Sequence, residues 1–184
     1  MSEWSKKREV KKHYDRIARI YDRQYAEEQK IKINAILTRV CRDERDFILD
    51  AGCGTGLLFP MVAKAQFVTG IDISKKLLQK AKQYTKRFSS VHLICADSDW
   101  LPFQDSVFNL VFAITLLQNL PNPKATLEEI KRKSKSQAII AVTVLKKEFT
   151  KEKFTKLLEN VQLKILTMKT DDKLKDHIAI CQTQ

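Results

Sequence analysis

The sequence predicts a doubly wound α/β domain, and three observations carry that prediction. The first is an apolar run closing in an acid and a glycine-rich turn, Phe47-Ile48-Leu49-Asp50-Ala51-Gly52-Cys53-Gly54-Thr55-Gly56. It reads as a buried strand entering a tight turn, because glycine lacks a Cβ and accepts positive φ. The second is a pair of further apolar runs that also end in acids, residues 66–71 before Asp72 and residues 91–96 before Asp97. The third is helical patterning between these runs, the connection that parallel strands require. The chain has four glycines; three sit in the first turn and Gly70 leads into Asp72. Glycine is spent here on one place.

The elements follow in order. Residues 6–25 read as one helix, with Val10, Tyr14, Ile17 and Tyr21 on one face and Arg8, Lys12, Arg16, Arg19 and Arg23 on the other. Residues 26–42 form a second helix that buries Ile31, Ile33, Ile36, Leu37 and Val40. After the glycine turn, residues 57–65 are apolar enough for a helix whose N-terminal N–H groups face a ligand. Ser74 is the N-cap of a helix over 75–87 that buries Leu77, Leu78 and Ala81 and exposes its lysines. A fourth strand is expected at 110–113, a helix at 124–133 ending in the basic cluster Lys131, Arg132, Lys133, and a strand at 138–145. A helix at 149–161 turns Phe154, Leu157 and Leu158 inward. Residues 163–168 and 177–181 are two final strands joined by a charged turn at 170–173. The expected organisation is one domain, 1–184, with a helical cap over 1–45 and a core over 46–184.

Composition narrows the class. A length of 184 residues with 43% hydrophobic content suits one globular domain with a proper core. No run reaches the ~18 apolar residues of a membrane span, and the opening residues lack a signal peptide's apolar stretch. The four cysteines, at 41, 53, 95 and 181, show no C-x-x-C pairing, and the three histidines are scattered. Cys53 and Cys95 read as small buried residues, no metal site is expected, and the cytoplasm is the expected compartment. The formal charge of +12 favours a polyanionic partner. A lysine-rich solvated surface explains it equally well.

A glycine-rich strand–turn–helix alone also fits dinucleotide enzymes. Here the spacing is Asp-x-Gly-x-Gly-x-Gly, and a third acid, Asp97, falls outside the dinucleotide pattern. Together these residues resemble the class I S-adenosyl-L-methionine (AdoMet)-dependent methyltransferases. The resemblance implies a seven-stranded, mostly parallel sheet with a C-terminal antiparallel hairpin. It implies that Asp50, Gly52, Cys53, Gly54 and Gly56 turn beneath the methionine part of AdoMet. It implies Asp72 and Ile73 at the ribose, and Asp97 and Ser98, in the segment Ala96-Asp97-Ser98-Asp99-Trp100-Leu101-Pro102-Phe103, at the adenine. Residues 105–111 resemble the family's approach to the fourth strand, with Asn109 where an Asp is common; Asn109 receives no role. The phrase Tyr14-Asp15-Arg16-Ile17-Ala18-Arg19-Ile20-Tyr21-Asp22 resembles the opening of methyltransferases of the ubiquinone-biosynthesis and wobble-uridine types, whose helix closes over the cofactor. Tyr14 and Tyr21 then sit against the sulfonium or the acceptor, or serve as core residues.

The acceptor chemistry of this family lies after the fourth strand, at residues 114–123. That stretch lacks the [Asp/Asn/Ser]-Pro-Pro-aromatic tetrapeptide of amino-group methyltransferases and the Pro-Cys of cytosine-C5 enzymes. Transfer by positioning remains, because in-line alignment supplies much of the rate. Gln118 and Asn119, with Tyr21, are the candidates to orient an acceptor; the alternative is that the two amides cap the next helix. RNA is the leading expected substrate, at a base nitrogen of ribosomal or transfer RNA, with Arg8, Lys12, Arg16, Arg19 and Arg23 on its phosphates. A small-molecule methyltransferase is second, and a non-catalytic AdoMet-binding subunit is third. With no inserted recognition domain, a large substrate is expected to be held by the N-terminal helices, by charged surface, or by a partner protein subunit.

Overall fold

The computed structural model describes residues 2–170 and 174–184. Seven strands form one sheet: β1 (Phe47–Ala51), β2 (Phe67–Asp72), β3 (Val91–Cys95), β4 (Phe108–Ile114), β5 (Ser134–Leu145), β6 (Lys164–Thr170) and β7 (Asp176–Gln182). Their order is β3-β2-β1-β4-β5-β7-β6. The first five pair in parallel and the last two join antiparallel, as the family pattern implies. The order reverses between β1 and β4, so the crevice outside their carboxyl ends is the natural binding place.

Helices cover both faces: α1 (Glu3–Ile17), α2 (Tyr21–Leu37), α3 (Phe59–Val62), α4 (Lys75–Arg87), α5 (Pro123–Lys133) and α6 (Lys151–Asn160). Side chains alternate across a strand, and β1 shows the consequence. Leu49 joins Val111, Ile140, Phe154 and Leu158 in one core, while Ile48 joins Ile36, Phe59, Val68 and Phe112 in the other. A sheet buried on both faces reads as near-continuous apolar strands, which made these elements visible.

Helix α4 spans the expected residues, and the Ser74 hydroxyl accepts the Leu77 N–H at 3.2 Å as its cap. Elsewhere local patterning misleads. The single helix expected over 6–25 is broken at 18–20, because Asp15 and Asp22 anchor on different elements. The Ser74 hydroxyl donates to Asp15 at 2.6 Å, and the Thr55 hydroxyl donates to Asp22 at 2.6 Å. The second helix consequently starts at Tyr21 and stops at Leu37. Ile31 on it is 50% exposed, and Lys32 is fully buried instead. Residues 57–65 give only the four-residue α3, so no long helix aims its N-terminus at the turn. Cys95 is exposed, because β3 lies at the sheet edge.

The basic cluster at 131–133 is paired with the chain's own acids and carbonyls. Lys131 donates to the Val161 carbonyl at 3.0 Å, Arg132 to Glu129 at 2.6 Å, and Lys133 to Asp105 at 3.0 Å. Asn109 pins β1 beside β4, since its side-chain oxygen accepts the Phe47 N–H at 2.7 Å and its amide donates to Asp46. The charged turn at 170–173 falls largely outside the described residues, which resume at Leu174. Among the described residues no helix is long and apolar enough to cross a membrane.

Candidate active site

The glycine turn leaves β1 with Gly52 at φ 74° and Gly54 at φ 56°. This left-handed backbone favours glycine, and here it turns the Gly54 N–H onto Asp72 Oδ2 at 2.9 Å. The other Asp72 oxygen accepts the Ser74 N–H at 2.7 Å. Burial pushes the Asp72 carboxyl up, and these backbone donors pull against it. A carboxylate oxygen accepts more than one hydrogen bond, so Asp72 keeps capacity for two neighbouring hydroxyls.

Gly52, Gly54, Asp72, Ile73, Asp97 and Ser98 line one cleft. Tyr14 and Tyr21 cover it from the helical segment, together with Lys7 and Val10. Three of the expected cofactor residues stand elsewhere. Asp50 and Cys53 border a small cavity of about 40 Å³ behind the turn. Gly56 lies under Phe59, whose ring sits 2.5 Å from where a Cβ would be, so it serves packing. Asp50 is 3% exposed, and burial, reinforced by the Asp72 charge, pushes its carboxyl up to about 8.

Lys7 lines the cleft, and the sequence pattern did not single it out. It is buried, and its Nζ donates to Asp97 at 2.7 Å and also to Asp99. Burial pulls its ammonium down, but the two carboxylates more than offset this and hold it above the ordinary lysine range. A signal existed: Lys7 stands three residues before Val10, on the apolar stripe. With α1 packed down, the cleft interior holds about 70 Å³.

Beyond the cleft a chamber of about 620 Å³ opens. Tyr14, Tyr21, Thr115 and Asn119 line both spaces, so they form the wall between them. Tyr21 meets Tyr14 edge-on at 6.1 Å and tilts on Tyr25 at 5.1 Å. Burial pushes both the Tyr14 and Tyr21 phenols up, which keeps them neutral. His13, Glu28, Gln29, Gln118, Lys146, Lys147 and Lys175 complete the chamber's polar lining.

Gln118 and Asn119 do not cap α5; Asn122 does so, by accepting the Ala125 N–H at 3.2 Å. Both amides instead donate to the Thr115 carbonyl, at 2.6 and 3.0 Å. The Gln118 Oε1 is left buried without a hydrogen-bond partner among the described residues. Thr115 itself has φ 56°, a strained conformation for a β-branched residue.

A buried network holds that strain. The Thr115 N–H donates to Thr143 Oγ1 at 2.9 Å, and the Thr143 hydroxyl donates to Asp176 at 3.1 Å. Lys32 Nζ donates to Thr115 Oγ1 at 3.1 Å and lies 2.9 Å from Asp176 Oδ1 and 3.0 Å from Glu28. Asp176 Oδ1 has no aligned hydrogen bond, so its contact with Lys32 is an ion pair. The wall between cleft and chamber thus rests on a charge pair that the sequence pattern does not disclose.

A mostly parallel sheet, a glycine turn bonded to the acid that closes β2, and a third acid after β3 define a cofactor-binding core of the methyltransferase kind. Residues 49–142 match the family described as Methyltransferase domain, and the chain belongs to it, within the class I AdoMet-dependent methyltransferases. It is similar to the malonyl-[acyl-carrier protein] O-methyltransferase of Marinomonas sp., at 28% identity over 79% of this chain and 54% of the relative. It is similar to the demethylmenaquinone methyltransferase of Tropheryma whipplei, at 32% identity over 62% of this chain and 49% of the relative. The chain spans about half the length of these curated relatives. Its fold matches a SAM-dependent methyltransferase from Aquifex aeolicus with TM-score 0.73 and 20% identity, over 83% of this chain and 89% of that one.

Proposed function

We propose that this protein transfers the methyl group of AdoMet to a small acceptor with a planar, conjugated part and a negatively charged group. One observation carries the reading: the cofactor cleft and the larger chamber share a single wall of Tyr14, Tyr21, Thr115 and Asn119. Transfer needs two ligands meeting at one place, and such a wall is where they meet. Bound AdoMet would supply a methyl group on a sulfonium, already activated for in-line displacement.

This chain's residues fit that cofactor. Gly52 and Gly54 bring bare backbone to the cleft for the methionine part, Asp72 has lone pairs for the ribose hydroxyls, and Asp97 with Ser98 lines the adenine end. Tyr14 and Tyr21 present neutral aromatic faces, which attract a cation and stack a planar acceptor. The unpartnered Gln118 Oε1 suits an acceptor's N–H or O–H, because a buried orphan acceptor is costly until it is satisfied. His13, packed edge-on against Tyr14 at 5.3 Å, is a general base where the acceptor must lose a proton. Lys146, Lys147 and Lys175 line the chamber against one acid, Glu28, which pairs with Lys175 at 2.7 Å, and the remaining balance of charge favours an anionic group. The names of the two relatives, a malonyl-[acyl-carrier protein] O-methyltransferase and a demethylmenaquinone methyltransferase, support an acceptor other than a nucleic acid.

RNA is the second reading. Its support is that Arg8, Lys12, Arg16, Arg19 and Arg23 are all exposed. A flipped base also suits a tyrosine-lined chamber. The test is transfer from methyl-labelled AdoMet to an anionic small-metabolite fraction and to unmodified total RNA in parallel. Label in the metabolite fraction, little affected by salt, supports the small acceptor. Label in RNA that falls steeply with salt replaces it with the RNA reading.

A further inference from the structure

The chain contains two tryptophans, and neither is used in the core. Trp4 is 61% exposed and Trp100 is 73% exposed. Both line one groove of about 350 Å³ between the first turn of α1, the loop after β3, and α5. Large aromatic side chains are normally buried. Two indoles left in water at the same groove mark a surface built for an occupant.

Charge identifies that occupant. The acids bordering the groove are Glu3, Asp99, Glu128 and Glu129, against two bases, Lys7 and Arg132. Lys7 pairs with Asp97 and Asp99 and lies over one part of the Trp4 ring at 5.5 Å, and Arg132 pairs with Glu129 and Asp105. Glu128 lies 3.5 Å from Lys124 at the rim, and the lining still counts four acids against two bases. The groove is therefore acidic on a chain whose formal charge is +12. A nucleic acid would stack on the indoles but be repelled by the carboxylates. An arginine or lysine side chain is attracted by both, because indole faces bind cations most strongly of the aromatic rings.

We infer that this groove docks a basic segment of a partner protein, with a cationic side chain seated against Trp4 and Trp100 and paired by Glu3 and Glu128. The groove shares no lining residue with the chamber, and Lys7 alone is common to the groove and the cofactor cleft. Because both tryptophans of the chain stand here, intrinsic indole emission reports on this groove alone.

The experiment is a titration of the full chain with a short oligoarginine peptide, followed by tryptophan emission. Oligoglutamate and oligouridylate are titrated in parallel, and the peptide is also titrated against the double variant Glu3→Lys, Glu128→Lys. The variant keeps both fluorophores, changes only side chains at the surface, and has its fold checked by thermal unfolding. The expected result is a saturable emission change with oligoarginine, weakened about tenfold or more in the double variant as like charge replaces opposite charge. No saturable change with oligoarginine overturns the inference. So does equal binding by the double variant, or tighter binding of oligouridylate.

Discussion

Replacing Lys32 with methionine tests whether the buried charge pair supports the acceptor wall. Methionine keeps the unbranched stem, so the change removes the ammonium and little volume. The Lys32 side chain is 1% exposed and that of Asp176 is 0% exposed, so the carboxylate left behind has no water to turn to. Breaking one side of a buried pair costs about 3–5 kcal/mol. Asp176 keeps the Thr143 hydroxyl at 3.1 Å and the Thr115 hydroxyl at 3.3 Å. These donors hold the expected loss near the lower end, about 3 kcal/mol. For a chain of this size that is a fall in Tm of about 6–12 °C, at ~2–4 °C per kcal/mol. Adding Asp176→Asn neutralises the stranded group and should recover most of the loss. In transfer assays Lys32→Met should raise the acceptor KM while AdoMet affinity stays close to wild type, because Thr115 loses its hydrogen bond on the chamber side. A Tm within about 2 °C of wild type, or a double variant no better than the single one, would refute the reasoning.

Asp50 gives a pH prediction with a definite sign. Its carboxyl is raised to about 8 in the folded protein, above the ordinary ~3.9 of the unfolded chain, so the native state holds a proton that the unfolded state has lost. That contribution is full below about pH 4 and disappears as pH rises through about 8. Between about pH 7 and pH 9 it amounts to a loss of about 1.4 kcal/mol in urea unfolding, and Asp50→Asn should flatten the profile. Tyr21→Phe keeps the ring and should leave the transfer rate within about threefold, whereas Tyr21→Ala should lower it about tenfold or more, measured at saturating AdoMet. Asp15→Ala removes the acceptor for the Ser74 hydroxyl and should cost about 1 kcal/mol of stability in urea unfolding.

The parts of the fold that were legible in the sequence are those whose cause is local. Ser74 capped α4 as expected, since an N-cap bond spans three residues. The glycine turn was legible because positive φ is written into the residue type. The break at 18–20 was not, because Asp15 and Asp22 turn away from each other to reach Ser74 and Thr55. Hydrophobicity placed Ile31 inward on α2, but neighbouring helical residues point about 100° apart. The buried pair chose Lys32 instead, through Asp176 on β7. Gly56 fits the family motif by spacing and yet packs under Phe59, since spacing does not tell which face a turn residue shows. Lys7 could have been found, because a lone cation on an apolar stripe invites the question of its partner.

Calorimetric titration of AdoMet tests whether the cleft bounded by Gly54, Asp72 and Asp97 holds the cofactor. One site is expected on the wild-type chain, with affinity lower by about tenfold or more in Asp72→Asn through the loss of hydrogen bonds to a charged acceptor. Equal affinity in the two proteins, with both folded, would place the cofactor elsewhere.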